Sequence, residues 1–199
     1  MTVMSLYDVW PRDRPLTVDD LERLPDDGYR YELVDGVLEV SPAAFPEHDL
    51  FAFRLGWLLE FYNPDDLAVA APLGLTMAED HHRIPDVGVV RSEWFERREH
   101  IGQPPLLVVE VASTSTRKKD RTTKKREYAE FGIPSYWIGI PDDDRPSLTA
   151  FELIDGHYEQ TAFAAGDEVF KVDRPYPFTV VPRLLTEPGN AWKTNLSQM

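Results

Sequence analysis

Three charged residues in this chain sit where their surroundings give them something to do. Glu110 interrupts the apolar run from Leu106 to Val111, and a carboxylate left unpaired there would lose much of its hydration free energy, so it calls for a metal ion or a lysine. Asp86 opens a second apolar stretch, Val87 to Val90. Lys124 lies in the basic run after Glu110, one helical turn before Tyr128 and two before Phe131, which puts it, rather than Lys125 or Arg126, on the inward stripe of a helix. Two carboxylates that hold a hard divalent ion such as Mg²⁺, with a lysine that orients water or offsets charge, are the parts of metal-assisted phosphodiester hydrolysis. Other chemistries fail at the motif level: the chain has no phosphate-cradling glycine loop, no dinucleotide fingerprint, no G-x-S-x-G elbow and no H-E-x-x-H, so no nucleotide cofactor is expected.

The elements that must position these residues follow from periodicity and punctuation. Thr17 to Asp20 has capping-box spacing ahead of Leu21 and Leu24, predicting a short helix that stops at Pro25. Asp35-Gly36, flanked by Tyr29 to Val34 and Val37 to Val40, predicts a type I′ hairpin whose register sets Glu32 opposite Glu39. Like charges so placed belong at a solvated edge or beside a cation, and the edge is the commoner case. Leu50, Phe51, Leu55, Trp57, Leu58, Phe61 and Tyr62 recur at helical spacing between Pro46 and Asn63-Pro64, with His48 on the core-facing side of the first turn, where a hydrogen-bonded structural histidine is the ordinary reading. Residues 67–77 read as one strand broken by Pro72 or as two short ones, 84–90 as another, and Asp80 to Arg83 between them as a turn. His81 and His82 point to opposite sides of an extended chain and no third ligand has recognisable spacing, so no zinc site is read there.

A short helix or turn over Glu93 to Glu99 precedes the central strand, Leu106 to Val111, whose continuous apolarity predicts cover on both faces. After the basic helix come a strand at Tyr136 to Ile140, a second Asp-Gly hairpin at Asp155-Gly156, and an irregular region with a strand near Phe178 to Val181. The order of elements predicts an α/β or α+β domain built on a mixed sheet. Its expected limits are 15–187, after an N-terminal segment 1–14 and before a mobile tail 188–199.

At 199 residues, 42% hydrophobic and 12% aromatic, the chain suits one ordinary domain with a real core. It has no cysteine, no basic start followed by an apolar run, and no stretch approaching the about eighteen apolar residues of a membrane span, so a cytoplasmic protein with no membrane partner is expected. A net charge of −14 argues against a nucleic-acid partner, but its distribution does not. Arg117, Lys118, Lys119, Arg121, Lys124, Lys125 and Arg126 gather a third of the 21 basic residues into ten positions, either as a solvated face or as a phosphate-binding one.

These segments resemble a known family. Pro85-Asp86, Glu110-Val111-Ala112 and a displaced lysine resemble the PD-(D/E)XK nuclease superfamily. Tyr31 to Gly36, Val109-Glu110-Val111, Ser113-x-Ser115-Thr116, Asp120-x-x-x-Lys124, Tyr128 and Gly132 to Trp137 look more narrowly like the Uma family of restriction-endonuclease-like proteins. The resemblance implies a restriction-endonuclease-like mixed central β-sheet flanked by helices, with an N-terminal β-hairpin. It implies that Asp86 and Glu110 are metal ligands with the carbonyl of Val111 as a third, and that Lys124 is the catalytic lysine, standing in for one absent at Ala112. Glu32 would be a further acid reaching the site, and His48 a site-lining residue. Mg²⁺ or Mn²⁺ would be the cofactor, DNA the substrate, and Arg117, Lys118 and Lys119 the backbone contacts; separately, two-fold symmetry suits the cutting of both strands of a duplex, so a homodimer is the expected assembly. A catalytically silent nucleic-acid or protein interaction module with the nuclease fold is the alternative.

Overall fold

In the computed structural model the described residues are 14–96, 102–112, 120–190 and 192–193. In chain order they form α1 (Val18–Leu21), β1 (Arg30–Val34), β2 (Val37–Ser41), α2 (Pro46–Tyr62), β3 (Leu67–Ala70), β4 (Leu75–Ala78), β5 (His81–Arg83) and β6 (Val87–Arg91). Then follow α3 (Glu93–Glu96), β7 (Leu107–Val111), a π-helical turn (Asp120–Lys124) running into α4 (Lys125–Phe131), and β8 (Ser135–Ile140). The chain continues with β9 (Ser147–Ile154), β10 (His157–Ala165), β11 (Phe170–Val172), β12 (Phe178–Val180) and α5 (Pro182–Thr186). They fall into two compact units, one drawn from Met1–Ala44, Gly74–Ile84 and His100–Gln103, the other from Phe45–Leu73, Pro85–Glu99 and Pro104–Met199. Among the described residues no helix is long and apolar enough to cross a membrane.

The first unit is an antiparallel sheet in the order β2-β1-β5-β4. Asp35 and Gly36 take φ of 50° and 72°, as a type I′ turn requires, and β1 and β2 pair in the predicted register, Val34 with Val37 through Tyr31 with Val40. α1 begins where expected, with the Thr17 amide donating to the Asp20 carboxylate at 2.9 Å. The predicted turn at Asp80 to Arg83 is corrected: His81–Arg83 is a strand, because its main chain is claimed on both sides, His82 pairing with Leu33 of β1 and Thr76 of β4. Of the two placements open to Glu32 and Glu39, a solvated edge or a cation, the structure shows the cation. Arg83, fully buried, brings Nη1 to 3.3 Å from Glu32 Oε2 and 2.8 Å from Glu39 Oε2, so the opposed acids share one guanidinium.

The second unit carries a six-stranded mixed sheet in the order β10-β9-β8-β7-β6-β3, parallel only between β7 and β8. A parallel pair needs a crossover, and the segment containing the π-helical turn and α4 provides it. α2 packs Phe51, Leu55, Leu58 and Leu59 against Val87 and Val89 of β6, Leu107, Val109 and Val111 of β7, and Trp137 of β8. Leu50, Trp57 and Phe61, counted in the apolar stripe from spacing alone, are exposed instead. Gly139 is dictated by this packing, since a Cβ there would lie 2.6 Å from Phe51 Cε1. Strand alternation then turns Val108 and Glu110 to the opposite face, which is lined by Tyr128, Tyr136 and Tyr158, with ring centroids 5.5 and 5.6 Å from that of Tyr136.

The second Asp-Gly hairpin forms as read, Ile154 pairing with His157 around Asp155 and Gly156, though β10 runs on through a bulge to Ala165. In the region read as irregular, Phe170–Val172 pairs with Phe178–Val180, and Pro182–Thr186 is helical. Trp192, within the expected tail, meets Trp57 edge-on at 5.1 Å, and the buried Arg54 donates to the carbonyls of Leu185, Glu187 and Gly189.

Candidate functional site

Glu110 gets its place from the pleat. It is the one charged residue of β7, and alternation puts it on the tyrosine face, 3% exposed. Burial of that carboxylate is tolerated because two residues of the following helical segment meet it. Lys124 Nζ lies 2.9 Å from both Oε1 and Oε2, and the Tyr128 hydroxyl donates to Oε1 at 2.6 Å. Lys124 closes the π-helical turn and Tyr128 follows four residues later, so both side chains leave the same face. α4 ends at Gly132, whose φ of 87° is the left-handed cap, with the Ile133 amide donating to the Tyr128 carbonyl at 3.0 Å.

The three consecutive basic residues separate as their positions require. Lys124 is 6% exposed and committed to Glu110. Lys125 is not in open solvent but lies 3.7 Å over the Phe151 ring, and burial lowers its pKa. Arg126 is exposed, 3.9 Å from Glu130.

Asp86 is fixed to both peptide neighbours of Glu110. Its amide donates to the Val109 carbonyl at 3.1 Å, and its Oδ2 accepts the Val111 amide at 2.7 Å. The second acid is therefore held beside the first by main-chain bonds rather than by a flexible contact. His48, from the first turn of α2, brings Nε2 to 3.2 Å from the same Oδ2, while Nδ1 lies 3.2 Å from Asp49 Oδ1. The imidazole is thus held between two carboxylates, in keeping with the structural histidine read from its spacing and also with a place at the site.

The structure therefore brings His48, Asp86, Glu110, Val111 and Lys124 together. Glu32 belongs to the first unit, where Oε1 accepts the Ile84 amide at 2.8 Å and Oε2 faces Arg83. Arg117, Lys118 and Lys119 lie outside the described residues, as does Ser113-x-Ser115-Thr116. Tyr128 was given no role from spacing, although its position four after Lys124 was the available signal. Arg83 carries no such signal, since Asp80 to Arg83 reads as a turn.

Asp86 and Glu110 offer buried carboxylate oxygens, the donor type that a hard divalent cation prefers. Among the described residues no three His, Asp or Glu side chains gather into a cage. Two buried carboxylates with main-chain and water oxygens is instead the ligand set on which Mg²⁺ relies, because it keeps much of its hydration shell.

A family model described as Uma2, putative restriction endonuclease, matches residues 18–183. Among solved structures, the chain is similar to the crystal structure at 1.96 Å of a putative nuclease belonging to DUF820 from Anabaena variabilis, with a TM-score of 0.60 and 17% identity over 80% of this chain and 90% of that one. At that identity the likeness concerns the fold. No curated protein matches the chain.

Proposed function

The chain belongs to the Uma2 family of putative restriction endonucleases, and on that premise we propose that it is a divalent-metal-dependent endonuclease hydrolysing phosphodiester bonds of DNA. The observation that carries the reading is the pair of buried acids, with Asp86 bonded to the peptides on either side of Glu110 and Lys124 on the Glu110 carboxylate.

Asp86 and Glu110, with the Val111 carbonyl, would hold Mg²⁺ or Mn²⁺. When bound, such an ion supplies a Lewis acid at a phosphate oxygen and a water of lowered pKa. Lys124, itself buried, holds its ammonium beside Glu110 and would offset negative charge that develops on the phosphate. His48 orients the Asp86 carboxylate through Oδ2. Arg117, Lys118 and Lys119 would hold backbone phosphate by counterion release, which confines binding on an otherwise acidic protein to one segment. A homodimer would serve both strands of a duplex through two-fold symmetry.

The test is plasmid cleavage with Mg²⁺ or Mn²⁺ and with chelator. Cleavage is expected only with metal, and Glu110→Ala or Lys124→Ala should lower the rate by at least about 10² while each protein stays folded by circular dichroism. Undiminished cleavage by Glu110→Ala would overturn the assignment. The net charge of −14 favours a second reading, a silent module that binds nucleic acid without cutting it. DNA binding with neither metal binding nor cleavage is the result that reading predicts.

A further inference from the structure

We infer that Tyr128 is a positioning residue for Glu110, its hydroxyl holding the carboxylate in the orientation in which it can accept a divalent cation beside Asp86. This rests on the nuclease reading above and adds to it a residue with no direct part in the chemistry. The bond from the hydroxyl to Oε1 is 2.6 Å, the short range of an O–H donor to an ionised carboxylate. Such a contact stops rotation of the carboxylate about its last bond.

Lys124 also reaches both oxygens, but the two donors differ in kind. An ammonium on a four-carbon stem can exchange one anion for another, and a phosphate oxygen is a competitor for it. Tyr128 has no such freedom. Its side chain is fully buried, its ring meets Tyr136 at 5.5 Å with planes 66° apart, and its own carbonyl is tied to the Ile133 amide. The tyrosine is therefore the fixed partner of Glu110 and the lysine the exchangeable one. Groups that orient metal-ligating side chains typically carry a 10-fold to 100-fold effect on affinity or activity.

The experiment uses the full chain and Mn²⁺ alone, titrated by calorimetry, with Tyr128→Phe compared against Tyr158→Phe. The first substitution keeps the ring and removes the hydroxyl from Glu110. The second removes from the same aromatic cluster a hydroxyl that donates to the Ile133 carbonyl at 2.7 Å. Tyr128→Phe should bind Mn²⁺ about 10-fold more weakly, and its plasmid cleavage should recover at high Mn²⁺, whereas Tyr158→Phe should bind as the wild type does. Equal weakening in both variants would mean general loosening of the cluster and would overturn the inference. Wild-type affinity in Tyr128→Phe would overturn it while leaving the nuclease reading in place, and a wild-type protein that binds no Mn²⁺ would overturn both.

Discussion

Each unit buries an ion pair, and the two pairs are built differently. In the first, Arg83 lies fully buried between Glu32 and Glu39, which the hairpin register forces opposite each other. In the second, Lys124 faces Glu110, with Tyr128 on the same carboxylate and Asp86 bonded to the flanking peptides. A planar guanidinium on a strand, bridging two acids that cannot move apart, is suited to holding a sheet together. A lysine at the end of a π-helical turn, on a flexible stem beside a second acid, is suited to exchanging partners. The burial of charge that suits architecture in one unit is thus, on the proposed nuclease reading, suited to chemistry in the other.

That contrast can be broken by substitution. The largest effect is expected for Arg83→Met, which leaves two opposed acids without their cation and should lower unfolding stability by about 3–5 kcal/mol, read from urea denaturation. A loss below about 1 kcal/mol would show that the arginine is not the lock described here.

A smaller effect is expected at Asp20, the other buried acid of the first unit, whose carboxyl is held well below its usual range chiefly by hydrogen bonding to Arg14 and then by the Thr17 amide, against the opposing effect of burial. A depressed folded-state pKa contributes stability that is present above the unfolded value of about 3.9 and is lost as pH falls through the folded one. Asp20→Asn should therefore cost about 1 kcal/mol at neutral pH, and the gap to the wild type should close under strongly acidic conditions. A gap that is unchanged across that range would remove Arg14 and Thr17 as its cause.

The smallest effect on stability is expected for the double change Lys124→Met with Glu110→Gln, which replaces the second unit's ion pair by neutral groups of similar size. Its unfolding free energy from urea denaturation should stay within about 1 kcal/mol of the wild type, since a buried pair replaced as a pair is often neutral or better, while DNA cleavage is lost. A double variant as unstable as Arg83→Met would make both pairs structural and erase the distinction.

How legible these features were in the sequence depends on how local their cause is. The Asp35-Gly36 and Asp155-Gly156 turns, the register of the first hairpin and the limits of α2 were all readable, because positive φ and proline exclusion act within a few residues. Glu110 and Lys124 were readable as a matched problem, a buried acid and an inward base. β5 was not, since His81-His82-Arg83 has no apolar period, and its strand conformation comes from neighbours on both sides. The exposure of Leu50, Trp57 and Phe61 was equally hidden, for spacing shows which residues share a face but not how much of that face the sheet will cover.

The sequence by itself determined that Glu110 needs a cation, that Lys124 points inward from the helix after it, and that Asp86 begins an apolar strand. These follow from solvation and from the two periodicities of helix and strand. Only the tertiary structure decided that Asp86 is bonded to the peptides on either side of Glu110, that Tyr128 shares its carboxylate with Lys124, and that Arg83 rather than solvent meets Glu32 and Glu39. Those are contacts between segments remote in the chain, and their geometry is set by strand order and packing, which no local pattern encodes.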